Sequence, residues 1–345
     1  MTPPGTTPSD PPANPPSNPP TNPPTPPTPP AQASTHHRCG WFIGGDPIGE
    51  ASFKANAAQF DTIHPKWLNL NPDGLTVRIL HGTDDPAILA AAQANHVRIM
   101  PLVDTDDVAY LRLMLSTAQN RATHVANLVQ LVHDHGWAGI DIDYEHLWSK
   151  ADRPGFVAFM QALSTALHAD GKELSMAVSG ISVDDGNNAY DYDALSAVVD
   201  VLHVMGYDFH YVGGDHLGPI APLGWIRGVF QHAQATGHGD HFILGVPNYA
   251  IGATWYDTTS DAIALCQGAI ETTTDHMASC PYGNFEAGRA PHCATAAHGE
   301  IWFDDVASME EKIAVAQSYG ARGVTYWTLG HELPGYFDMV RKHYP

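Results

Sequence analysis

The stretch Gly139-Ile140-Asp141-Ile142-Asp143-Tyr144-Glu145 places three carboxylic acids at alternate positions. In an extended strand, alternate side chains share a face, so Asp141, Asp143 and Glu145 project together while Ile140 and Ile142 project to the other side. On a solvent face the acids would be a plain polar stripe. The two isoleucines, however, seek a helix layer, and that turns the acids toward the interior of a sheet. Acids crowded into a confined site cannot all ionise cheaply, so some hold protons near neutral pH, the state a general acid requires. Glu145 is last in the row, where the strand opens, and is the expected proton donor.

Such a row needs a sheet to aim it. From residue 36 onward, short apolar runs alternate with longer segments of helical period, the pattern of repeated βα units around a parallel sheet. Strands are predicted at 38–44, 66–70, 96–103, 137–144, 173–179, 199–207, 241–247 and 323–329. Eight strands favour a closed (β/α)8 barrel over an open doubly wound sheet. Helices between them show apolar faces: Val125, Leu128, Val129 and Val132 recur at i, i+3, i+4 and i+7, as do Phe156, Phe159, Met160 and Leu163. Met309, Ile313 and Ala316 form a weaker stripe. These stripes read as outer packing of the barrel. Between the seventh strand and the last helix–strand pair, residues 251–300 read as a long irregular insertion. A loop leaving the C-terminal end of a barrel strand overlies the active site, so this insertion is expected to form one wall of the cleft.

Residues 1–35 are of another kind. They hold more than half of the 28 prolines and almost no large apolar side chain, so they are expected to be a disordered, polyproline-like linker ahead of a catalytic domain at 36–345. Acidic residues outnumber basic ones by 37 to 16, giving a net charge of −21. No Lys/Arg cluster interrupts the deficit, which argues against nucleic acid as a partner. No apolar run is long enough for a transmembrane helix. The four cysteines, Cys39, Cys266, Cys280 and Cys293, show no zinc-like spacing. A disulfide within 266–293 is weighed against free thiols, and Cys280–Cys293 is the first pairing expected.

The acidic row resembles the DxxDxDxE signature of glycoside hydrolase family 18, the chitinase and N-acetylglucosaminidase family. Met205-Gly206-Tyr207-Asp208 resembles the MxYD of the family's sixth strand, Pro247-Asn248-Tyr249 its Pro-x-Tyr, and Tyr326-Trp327 the tryptophan of its final strand. The similarity spans about residues 38–340. The runs 218–225 and 301–305 look most like the bacterial branch of cell-wall and spore-cortex N-acetylglucosaminidases. Two positions depart from the pattern: Ala138 stands where the first Asp would be, and Pro101-Leu102-Val103-Asp104 replaces Ser-x-Gly-Gly.

The resemblance implies a (β/α)8 barrel that hydrolyses chitin or peptidoglycan with the substrate's own acetamido group as nucleophile. It assigns Glu145 as acid and base, Asp143 as orienter of the acetamido N–H, Asp141 as its proton partner, and Tyr207 as holder of the acetamido carbonyl. Met205, Asp208, Tyr249 and Trp327 would shape the sugar pocket. Trp41, Trp67 and Trp225 are equally readable as core or sugar contact. No cofactor or metal is implied, and a monomer is expected. The location expected is extracellular or in the cell envelope, with a signal or anchor removed. A lectin-like barrel that binds without cleaving is the alternative.

Overall fold

In the computed structural model, which describes residues 37–273 and 285–345, eight parallel strands close on themselves. They are β1 (His37–Ile43), β2 (Thr62–Leu70), β3 (Leu102–Thr105), β4 (Gly139–Tyr144), β5 (Glu173–Ser179), β6 (Val201–Met205), β7 (Phe242–Pro247) and β8 (Gly323–Trp327). Each pairs with its sequence neighbours, and β1 pairs with both β2 and β8, which completes the ring. Residues 1–36, and with them the expected linker, lie outside the described residues.

Helices fill the outside because their apolar stripes have nowhere else to go. Helix α1 (Ala118–His135) buries Val125, Leu128 and Val132, with Val129 partly covered beside them. It stops at Gly136, whose φ of +68° suits a residue without a Cβ. Helix α2 (Arg153–Ala169) buries Phe156, Phe159, Met160 and Leu163 completely, each worth about 1.5–3 kcal/mol relative to exposure. Helix α3 (Val306–Ser318), capped by the Asp305 side chain on the Ser308 N–H, buries Met309, Ile313 and Ala316.

Three expectations need correction. The third strand, read as 96–103, is broken: Arg98–Ile99 pairs with β2, and β3 proper starts only at Leu102. Between them stands Pro101, which has no N–H to give a ladder. The second strand begins at Thr62 rather than 66, running through Pro65, which sits opposite Phe42 of β1. The insertion is not irregular. Tyr249–Ile251, Tyr256–Thr258, Glu271–Thr273, Ala290–Thr295 and Gly299–Phe303 form a five-stranded antiparallel sheet, with a short helix at Thr259–Leu265.

The disulfide within that insertion joins Cys266 to Cys293, not Cys280 to Cys293. Cys293 lies on a strand of the small sheet and Cys266 caps the short helix packed against it, so both sulfurs fall in one apolar cluster. Cys280 lies outside the described residues, and Cys39 is a buried free thiol in β1. Among the described residues, no helix is long and apolar enough to cross a membrane.

Candidate active site

Strand β4 starts at Gly139 for a steric reason: a Cβ there would lie 2.0 Å from the Glu173 carbonyl oxygen of β5. From this close approach the strand rises through the barrel. Asp141 is fully buried, Asp143 is 8% exposed, and Glu145 is half-buried just beyond the strand's end. The alternation read from the sequence holds, since Ile140 and Ile142 are buried in the main core cluster shared with the outer helices.

Asp141 is held from two sides. Ser175 Oγ donates to Oδ1 at 2.7 Å and Trp41 Nε1 donates to Oδ2 at 2.8 Å. Burial nevertheless dominates and raises its pKa to about 7, with these two donors pulling the other way. Asp143 is pushed well above the usual carboxylate range, first by burial and then by the neighbouring charges of Glu145, Asp141 and Asp104. Its Oδ1 is buried without a hydrogen-bond partner. Glu145 is raised too, chiefly by burial; His146 and Lys66 oppose this, while Asp208 and Asp104 add to it. Three acids in a row therefore share fewer than three negative charges near neutral pH, as their spacing suggested.

Tyr207 reaches the same mouth from β6. A Cβ at Gly206 would lie 2.4 Å from Leu244 Cδ1 and 2.8 Å from the Gly245 carbonyl oxygen. Glycine thus lets the chain press on β7 while Met205 and Tyr207, of equal parity, join an apolar cluster with Ile251, Trp302, Tyr249 and Trp327. Burial and then the Asp143 charge keep the Tyr207 hydroxyl protonated, so it is available as a donor. Asp208 follows in the left-handed region at φ +58°. Although the residue is exposed, its carboxyl end is crowded by the cleft, which raises its pKa, and its Oδ1 accepts a hydrogen bond from Tyr249 Oη at 2.5 Å.

Trp327, at the end of β8, lies edge-on to Trp41 with ring centroids 5.9 Å apart. The turn after it is pinned by Asn248, whose backbone N–H donates to the Trp327 carbonyl and whose side-chain amide donates to that of Thr328. Beside it opens a cavity of about 310 Å³ lined by Tyr249, Tyr256, Asp257, Trp327 and His331 among others. Tyr249, Tyr256 and Asp257 belong to the insertion's small sheet, so the insertion does form a wall of the cleft. The three tryptophans left open separate cleanly: Trp67 is core beside Trp137, Trp225 is core in a helix beyond β6, and Trp41 lies inside the barrel on Asp141.

Several residues around the acids carried no motif. Asp104 of β3 stands beside Asp143 in register, bound by Lys66 Nζ at 2.5 Å and by Asn69 Nδ2 at 2.9 Å. The parity of Asp104 with the apolar run of its strand could have flagged it. Below Asp141 lie the buried rings of His64 and His203, from β2 and β6. Among the described residues, His64, Asp141 and His203 are the one group whose potential metal-ligating atoms fall within 4.8 Å of one another. Both Asp141 oxygens already accept hydrogen bonds and His64 Nδ1 is engaged with the Met100 carbonyl, so the donor set is arranged around protons rather than an ion.

Residues 56–332 match the sequence pattern of glycosyl hydrolases family 18. The chain belongs to this family. YdhD of Bacillus subtilis (strain 168), whose name places it among sporulation-specific glycosylases, is 32% identical over 232 residues, covering 63% of this chain and 52% of that protein. The cortical fragment-lytic enzyme of Bacillus subtilis (strain 168) is 26% identical over 249 residues, covering 67% of this chain and 57% of the other. The chain thus spans little more than half the length of these two relatives. In three dimensions, the spore cortex-lytic enzyme SleL of Bacillus cereus superimposes with a TM-score of 0.76 at 19% identity, over 90% of this chain and 74% of SleL. That likeness is one of fold, and it agrees with the closed family 18 barrel described above.

Proposed function

We propose that this family 18 barrel is a retaining glycoside hydrolase acting on β-1,4-linked N-acetylglucosamine polymers, chitin or peptidoglycan. The observation that carries the reading is the graded burial of Asp141, Asp143 and Glu145 on one strand, facing a protonated Tyr207 from another.

Glu145, protonated because burial outweighs its cationic neighbours, gives its proton to the leaving glycosidic oxygen. The 2-acetamido oxygen of the same sugar attacks the anomeric carbon and forms an oxazolinium ion. Asp143, as an anion, faces the acetamido N–H and offsets the positive charge that develops there. Asp141 takes up the proton that Asp143 gives up. Tyr207 donates to the acetamido oxygen and holds it in line. Glu145, now a base, takes a proton from the water that opens the ring, and configuration is retained. Trp327 offers a flat apolar face to the sugar, and Met205, Asp208 and Tyr249 close the pocket around it. Nothing in this sequence of steps calls on a metal or organic cofactor.

Action at the cell envelope or outside the cell, by a monomer, accords with the names of the cortex-lytic relatives and with the strongly acidic chain, which is repelled by nucleic acid and anionic membranes. The test is reducing-end release from N-acetylglucosamine oligomers and from peptidoglycan, with Glu145→Gln as control. Turnover by the wild type and none by the variant is expected. Tight binding without turnover by the wild type on both substrates would leave a glycan-binding barrel instead.

A further inference from the structure

The catalytic steps above need Asp141 to take a proton and keep it while Asp143 carries charge, so the inference here rests on that reading. A protonated carboxyl has an O–H to donate, and in a buried site that O–H needs an acceptor. The Asp141 partners described so far cannot serve in that way: the Trp41 indole N–H is donor only, and Ser175 is already donating.

Two imidazoles face the remaining side. His64 Nδ1 lies 3.6 Å from Oδ2 and His203 Nε2 lies 3.9 Å from Oδ1. They are not equivalent. His64 Nδ1 contacts the Met100 carbonyl oxygen at 3.1 Å, and since a carbonyl only accepts, that nitrogen carries the hydrogen and cannot accept from Asp141. His203 is fully buried, and neither of its ring nitrogens has a hydrogen-bond partner. Its Nε2 lone pair is the free acceptor nearest Oδ1, and a side-chain adjustment of less than an ångström or so closes the gap.

We propose that His203 is the acceptor that holds the proton on Asp141 during turnover, with His64 fixed behind it as a neutral wall that keeps His203 itself uncharged. Burial drives His203 far below the ordinary histidine range, and the adjacent rings of His64 and His37 reinforce this. His64 is brought to about 3 by its own burial. The rings of His64 and His203 meet edge to face at 4.5 Å. The other titratable or charged groups around this pocket are His37 and Cys39 of β1, Arg98 ahead of β3, Asp143 of β4, Glu173 of β5 and Tyr207 beyond β6. Apart from Asp143, which must give up its own proton, none of these provides a free nitrogen on the Asp141 carboxyl. Both histidines are positioning residues: neither reaches the sugar, and both act through Asp141.

The test compares kcat and KM from pH 4 to 9 on an N-acetylglucosamine oligomer for wild type, His203→Leu and His203→Gln, with Glu145→Gln as control. Loss of the acceptor in His203→Leu should lower kcat about tenfold, the worth of one hydrogen bond, with KM within twofold. The alkaline limb of the kcat profile should move to lower pH, because the Asp141 proton is held less firmly. Glutamine, whose amide oxygen can accept, should restore most of kcat and the limb. A His203→Leu profile that superimposes on the wild type, or a limb moving to higher pH, overturns the proposal. Histidine ¹⁵N NMR on the wild type decides the matter even if the leucine variant does not fold: a neutral His203 with hydrogen on Nδ1 and a hydrogen-bonded bare Nε2 from pH 5 to 8 is expected. An Nε2–H tautomer, an imidazolium, or one equivalent of a divalent metal retained on these rings contradicts it. If wild type cleaves no N-acetylated oligomer, the proposed function fails, while the NMR measurement still locates the proton.

Discussion

Asp141 and Glu145 are the two ends of one acidic row, each two residues from Asp143 on the same strand, and they live in different worlds. Asp141 is sealed in the barrel, with two donors on its carboxylate and two neutral imidazoles beyond. Glu145 stands at the mouth among charged groups of both signs, half in contact with solvent. The chemistry of the two side chains is nearly the same, so it is depth along the strand that divides their work. The deep acid stores a proton, and the shallow one exchanges protons with substrate and water. Rising burial down a single β-strand is an economical way to sort three otherwise similar groups.

Substitutions at the two ends should therefore fail differently. The largest loss is expected for Glu145→Gln, with kcat on N-acetylglucosamine oligomers falling by about 10³-fold or more and substrate binding retained, as measured by calorimetry. Asp143→Asn should cost roughly 10²–10³-fold, since an amide cannot offset the oxazolinium charge. Tyr207→Phe should cost about 10²-fold by loss of one donor to the acetamido oxygen, and a KM change without a kcat change would remove Tyr207 from the reacting group.

The deep end has its own signature, in stability rather than rate. The folded protein holds the Asp141 proton up to about pH 7, against an ordinary value of 3.8. The folded state thus binds more protons than the unfolded chain between those limits, and this contribution to stability is present below pH 4 and lost as pH rises through 7. Asp141→Asn should flatten the pH dependence of the melting temperature over this window. An unaltered slope would mean that Asp141 is ionised throughout. Smallest in its effect on catalysis is Cys293→Ser. Opening a loop of 27 residues should cost the native state up to roughly 3–4 kcal/mol by chain entropy, visible as a lower melting temperature, with kcat nearly unchanged if the small sheet keeps its place.

The sequence was most legible where period and parity were long enough to see. The acidic row, the eight strands and the stripes of α1 and α2 all repeat with a spacing that one segment is sufficient to reveal, and the described barrel matches them closely. The insertion was opaque because its strands run to six residues at most and pair with partners as far apart as Ala250 and Phe303. No local alternation survives in three residues, and the Cys266–Cys293 bond depends on that same long-range pairing. Pro65 hid the start of β2, and Pro101 hid the break before β3. The histidines beneath Asp141 were invisible for another reason: with 21 histidines scattered along the chain, nothing marks His64 and His203 until the barrel closes and brings β2 and β6 to face β4.

The central claim is that the substrate's acetamido group, not a second carboxylate, attacks the anomeric carbon while Glu145 supplies and recovers the proton. Proton NMR of the first products released from an N-acetylglucosamine oligomer tests it directly, run beside the same oligomer lacking the acetyl group on the reacting sugar. The account predicts β-anomer first and no cleavage of the deacetylated analogue. Initial α-anomer, or equal turnover of both substrates, would contradict it.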